Sequence, residues 1–320
     1  MLALASAGNM VKSMGGVRAG TMKAGIERRF WGLGLALLPG VAAMPVQAET
    51  CVIDDAEREV CLAQPANRIV ALSPGATELV FAAGAGDRVV GVVSFSDYPP
   101  EAKQRQSVGS HTRLDLETVL ALEPDLLVGW VTGNPHEQLE KLLRLEVPLY
   151  LSEPRRFEEV ATSLERLSTL AGTRELGQGA ADEFRAGVAE LRARHADARP
   201  VRVFYQVWDE PLMTVNDEHL ISQAMSLCGG ENVFGELPRL VPRIGEEAVL
   251  TADPEAIVAG GMGEANRDWL GDWERYEELS AVRRDNLFFV PPSLIQRPTP
   301  RLLEGTRMLC DHLETARGRD

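Results

Sequence analysis

Leu116–Val128 reads LETVLALEPDLLV, and 130 positions later Glu246–Val258 reads EEAVLTADPEAIV. At that single offset Glu117, Val119, Leu120, Pro124 and Val128 recur as Glu247, Val249, Leu250, Pro254 and Val258. Each copy reads as a short helix with a carboxylate in its first turn, where the helix dipole favours negative charge. Val and Leu supply a buried stripe, and Pro ends the helix ahead of an apolar strand. A unit repeated so far along a chain predicts two similar lobes, and two lobes enclose a cleft. The flanking order agrees. RIVALS (Arg68–Ser73) and RVFYQV (Arg202–Val207) each open a lobe as a strand, and AGAG (Ala83–Gly86) and CGG (Cys228–Gly230) each close the helix that follows.

Working outward, strands are expected at Arg68–Leu72, Val89–Ser94, Leu126–Val131, Val147–Leu151, Arg202–Val207, Ala256–Ala259 and Asn286–Val290, with helical patterns between them. Ser73 is placed to cap a helix that has Pro74 at its first position. Strands alternating with helices predict an α/β fold. Its two Rossmann-like lobes carry mainly parallel sheets, joined by one long helix, with the ligand cleft between them. That helix is expected from Thr173 to about Ala198, nearly 40 Å at about 1.5 Å per residue. Its apolar stripe is Leu176, Ala180, Phe184, Val188 and Leu191. A stiff connection of this kind predicts a cleft that closes only slightly. The resulting divisions are a hairpin over 49–67, a first lobe over 68–172, the connecting helix over 173–199 and a second lobe over 200–320.

The front of the chain is different. Met22 to Arg29 is basic, Phe30–Met44 is apolar, and Val46-Gln47-Ala48 has small residues suited to cleavage, which reads as an export signal over residues 1–48 with its start at Met22. The apolar run is broken by Pro39 and is short for a membrane span. With Lys12, Arg18, Lys23, Arg28, Arg29 and the one acid Glu27 removed, 28 basic and 46 acidic side chains remain. The net charge is then −18, against −14 for the full sequence. Such a balance argues against nucleic acid or anionic lipid as a partner, and no membrane insertion of the mature chain is expected. All four cysteines fall in the mature part, as expected in an oxidising compartment. Cys51 and Cys61 flank a hairpin, CVIDDAEREVC, while Cys228 closes a helix and Cys310 lies on the last one. The expected disulfides are 51–61 and 228–310.

An enzyme needs a nucleophile with a base, or a metal. The sequence has no Gly-x-Ser-x-Gly elbow, no P-loop, and no Gly-x-Gly-x-x-Gly after a strand. His111, His136, His195, His219 and His312 are dispersed, so neither a metal nor a cofactor is expected. The loops after the strands are more informative, because ligands of open parallel sheets sit at the carboxyl ends of strands. They present Phe95, Tyr98, His111, Trp130, Trp208, Met213 and Arg297, a set suited to a large, flat, partly apolar ligand.

Those residues lie among segments that carry a resemblance. RIVALSPGATELVFAAG (Arg68–Gly84), GVVSFSDYPPEA, LETVLALEPDLLVGW, CGGENVF and RMLC resemble the periplasmic cobalamin-binding receptors of corrinoid ABC importers, over about Arg68 to Leu313. The wider family includes haem and ferric-siderophore receptors of the same two-lobed form. The resemblance implies a corrinoid held between the lobes, delivery to the permease dimer of an ABC importer, periplasmic location and a monomer. It implies pocket roles for Phe95 (where Tyr is expected), Trp130, His111 (where Trp is expected) and Arg297. Val207 and Met213 stand where Phe is usual, with Trp208 as a substitute ring, and Ser293 replaces an Asp. Glu117 and Glu247 match two surface glutamates that dock on permease arginines. A haem or siderophore receptor, with Tyr98 or Tyr205 on the iron, is the alternative, followed by an envelope enzyme or structural protein.

Overall fold

The computed structural model describes residues 49–261, 263–265 and 267–319, so the expected export signal lies outside the described residues. β1 (Thr50–Ile53) and β2 (Glu59–Leu62) form an antiparallel hairpin in which Cys51 faces Cys61, and the two are disulfide-bonded. The hairpin is tied to the first lobe by its turn. Asp54, buried, accepts from the Leu151 amide and pairs with Arg58, while Asp55 pairs with Arg166.

The first lobe is built from β3 (Ile69–Ala71), α1 (Pro74–Val80), β4 (Val89–Val92), β5 (Gln106–Ser107), a small hairpin of β6 (Gly109–Ser110) and β7 (Arg113–Leu114), α2 (Leu116–Ala121), β8 (Leu126–Trp130), α3 (His136–Arg144), β9 (Leu149–Ser152) and α4 (Phe157–Ala171). Its sheet has the order β5-β4-β3-β8-β9, with every described pair parallel. α5 (Arg174–Arg194) then leads to the second lobe, with β10 (Val201–Gln206), α6 (Leu220–Leu227), β11 (Gly230–Asn232), α7 (Glu246–Ala252), β12 (Ala256–Ala259), β13 (Leu287–Phe289) and a last helix, Leu302–Arg317. Its sheet, β11-β10-β12-β13, is also parallel throughout. Strands buried on both faces are near-continuous apolar runs, as in LLV of β8 and AIV of β12.

The repeat is structural as well as sequential. Val119 and Val249 are buried, Leu120 and Leu250 are exposed at 38% and 36%, and Glu117 and Glu247 are exposed. After each helix the chain passes through positive φ, at Glu123 (45°) and Asp253 (40°). Arg68 donates to the carbonyls of Leu122 and Glu123, and Arg202 to those of Ala252 and Asp253. An acid one residue beyond each Pro, Asp125 or Glu255, then accepts from the amide of the same arginine. The orphan carbonyls at both helix ends are thus satisfied the same way, by a cation well placed for the dipole. Cys228–Cys310 ties α6 to the last helix across 82 residues. Closing a loop of that size is worth about 4 kcal/mol in the chain-entropy account.

Two expectations for the connecting helix are corrected. It has 21 residues, not the run to Ala198, and is about 31 Å long at 1.5 Å per residue. It stops because His195 leaves helical geometry, the Ala198 amide turning back to the His195 carbonyl, with the imidazole held by Glu314 at 3.0 Å. Its buried stripe is shifted one residue at the start. Gly177 and Ala181 face inward with Phe184, Val188 and Leu191, while Leu176 is 62% exposed. The cause is the close approach of α4. A Cβ at position 177 would lie 2.1 Å from Ser168 Oγ, so the helix turns its glycine to that contact.

Candidate functional site: the strand-end loops

The loops at the carboxyl ends of the strands carry the candidate residues. Ser73 caps α1, its Oγ accepting from the Ala76 amide at 3.0 Å, so the chain leaves β3 by a fixed route. Beside it, Asn134 clips three loops together. Its Nδ2 donates to the carbonyls of Leu72 (2.8 Å) and His111 (3.0 Å), and its Oδ1 accepts from the Trp130 amide (2.7 Å). This brings the His111 and Trp130 rings within 5.9 Å of each other. Gly133 is needed there, because a Cβ would run into the Trp130 ring. Burial pushes the His111 imidazole below its ordinary value, which keeps it neutral near pH 7. Its Nδ1 has no hydrogen-bond partner among the described residues.

In the second lobe the chain turns back at once after β10. The Val207 amide donates to Met213 and the Met213 amide to Trp208, at 3.0 and 3.1 Å. The Trp208 indole donates to the Glu210 carbonyl, and its ring, 39% exposed, lies 5.9 Å from Trp269, edge to face. Met213 is half-buried beneath this turn. Trp269 escaped the sequence reading because it follows no strand directly.

Phe95 is 76% exposed, with a positive φ of 65°. Arg297, from the loop after the short helix Pro292–Ile295, reaches the first lobe. Its Nη1 donates to Glu78 (2.8 Å) and Asp97 (2.9 Å), and its Nη2 to the Phe95 carbonyl (3.2 Å). Partial burial opposes ionisation of Asp97, but Arg297 beside it holds its carboxyl below the usual range. Ser293, where an Asp was expected, donates to Glu264 at 2.7 Å. Tyr98 packs on a cation of the second lobe. Its ring lies under the Arg301 guanidinium at 4.1 Å, in a crevice of about 490 Å³ lined also by Phe81, Phe184, Pro300 and Arg307. Tyr205 is fully buried, with its hydroxyl pushed up by desolvation, and offers nothing to a bound iron.

Residues 69–294 match the family described as periplasmic binding protein. The chain belongs to that family. It is 38% identical to the vitamin B12-binding protein of Vibrio cholerae over 243 residues, 76% of this chain and 87% of the relative. Among solved structures, this periplasmic binding protein is similar to the vitamin B12-binding protein BtuF of Vibrio cholerae. The TM-score is 0.73 at 36% identity, covering 79% of this chain and 98% of that one. It shares its fold with the haem-binding protein RhuT of Roseiflexus sp. RS-1, with a TM-score of 0.70 at 23% identity. Among the described residues, no helix is long and apolar enough to cross a membrane.

Proposed function

We propose that the chain is a periplasmic receptor that captures cobalamin or a related corrinoid and delivers it to an ABC importer. The observation that carries this is the 38% identity to a vitamin B12-binding protein over 76% of this chain and 87% of the relative. The site chemistry fits. A corrin is broad and flat, with an apolar ring face and a rim of amide side chains. Trp130 and His111 from one lobe and Trp208 from the other offer ring faces, and the neutral imidazole and Arg297 offer donors to amide oxygens.

In this reading the protein is a carrier and not a catalyst. It works as a monomer with no cofactor of its own, and the transported corrinoid is its ligand. Export after cleavage at Ala48 puts it in the periplasm, and Glu117 and Glu247, one per lobe, dock on basic residues of the permease dimer. Mature protein (residues 49–320) is mixed with cyanocobalamin, cobinamide or haemin, and the visible spectrum of the protein peak is read after gel filtration. Cyanocobalamin is expected to co-elute. Haemin co-eluting alone would overturn the proposal in favour of a haem receptor.

A further inference from the structure

Glu78 is the most enclosed carboxylate that joins the lobes. It lies on α1 in the first lobe with its side chain 2% exposed. Among the described residues, its side-chain partners all come from residues 297–301 of the second. Oε1 accepts from Arg297 Nη1 at 2.8 Å and lies 3.4 Å from Arg301 Nη1, and Oε2 accepts from Thr299 Oγ1 at 2.8 Å. Thr299 is fully buried, and its amide turns back to the Arg297 carbonyl at 2.8 Å. Arg297 in turn holds Asp97 and the Phe95 carbonyl.

We propose that Glu78 is a positioning residue for ligand capture, which acts by holding Arg297 across the seam between the lobes. The inference rests on the corrinoid reading of the cleft. Glu78 itself is enclosed, with its side chain 2% exposed, and acts through the groups it holds. A guanidinium has five N–H donors. Among the described residues, Glu78, Asp97 and the Phe95 carbonyl engage three of those on Arg297, all on the two Nη atoms, leaving Nε–H and one Nη2–H for the amide oxygens of a corrin rim. The same anchor holds the Phe95 backbone in the left-handed region, which a bulky side chain seldom enters unless its surroundings impose it. Phe95 thereby presents its ring outward. One buried carboxylate thus sets both a donor pair and an aromatic face. With the charge gone, Arg297 and Arg301 would be left together with no buried counterion, and Arg297 would swing toward Asp97 and solvent.

A double-mutant cycle on the affinity of the mature protein for cyanocobalamin tests this. Glu78→Gln keeps the shape and removes the charge, and is expected to weaken binding about tenfold. Arg297→Ala is expected to weaken it at least as much. The double variant should bind no more weakly than Arg297→Ala alone, because Glu78 acts only through that arginine. A merely structural role would lower the melting temperature and leave the two effects on affinity multiplicative. Wild-type affinity in Glu78→Gln, or full multiplicativity, overturns the proposal. Should Glu78→Gln not fold, Thr299→Val, which frees Oε2 without altering charge, takes its place in the cycle, and the same two outcomes decide. A wild-type protein that binds no corrinoid overturns the functional reading instead, and is told apart by that control.

Discussion

Trp130 ends β8 with its ring over Gly133 and beside His111, and its half-buried face is what a corrin would cover. Replacing it with Ala is expected to weaken cyanocobalamin binding by about 1–3 kcal/mol, the scale of burying one large apolar side chain. Cyanocobalamin should also quench less of the tryptophan emission in the variant than in the wild type. Unchanged affinity would remove Trp130 from the site. Trp130 was legible because an apolar strand running into a Trp at its carboxyl end points to a strand-end loop. Asn134 was not. Gly133-Asn134-Pro135 reads as the start of a helix, and only the structure shows the Asn134 amide bridging three loops separated by up to 62 residues. Glu78 was hidden for the same reason, since its partners lie more than 200 positions away.

At the scale of elements, His219 caps α6, its Nδ1 accepting from the Ile221 amide at 3.1 Å. Burial, helped by the Arg155 charge, lowers its pKa to about 4, so the cap requires the neutral ring. The unfolded chain takes up a proton near 6.5 while the folded chain resists until about 4. The contribution is therefore present above about 6.5 and is lost as the pH falls toward 4, by an amount on the order of 3 kcal/mol. Asn is also a good cap and does not titrate. The Asn variant of His219 should accordingly lose less stability than wild type between pH 7 and pH 4.5 in denaturant titrations, and equal losses would contradict this account. The hairpin, the seven longer strands and the helices between them were legible from periodicity and punctuation, whereas the short strands β5, β6, β7 and β11 were not. The face of the connecting helix was not, because Gly177, which makes the close approach to Ser168 of α4, gives no apolar signal.

Across the whole molecule, the repeated unit is what organises the two lobes. The arginine on the carbonyls, the acid on the amide, the positive-φ residue and the buried Val recur together, so Glu117 and Glu247 stand at equivalent places on equivalent lobes. Leu120 and Leu250 are exposed one turn beyond them. If these carboxylates meet basic residues on a two-fold importer, charge reversal at both costs several kcal/mol through like-charge contact. Glu117→Arg combined with Glu247→Arg should keep corrinoid affinity and abolish salt-sensitive association with the importer. Normal association would mean that docking does not run through them. Dipole stabilisation of the two helices alone is worth about 0.3–1 kcal/mol each and predicts only a small loss of stability. The two-lobed plan could be read from thirteen residues and their echo, whereas the seam between the lobes could not, because its contacts follow no local pattern.

The proposal of a corrin-binding cleft is open to a direct test. Calorimetric titration of cyanocobalamin into the mature protein, with haemin titrated in parallel, tests it most directly. Saturable one-to-one binding of cyanocobalamin and much weaker binding of haemin are expected. One-to-one binding of haemin with no heat from cyanocobalamin would contradict it.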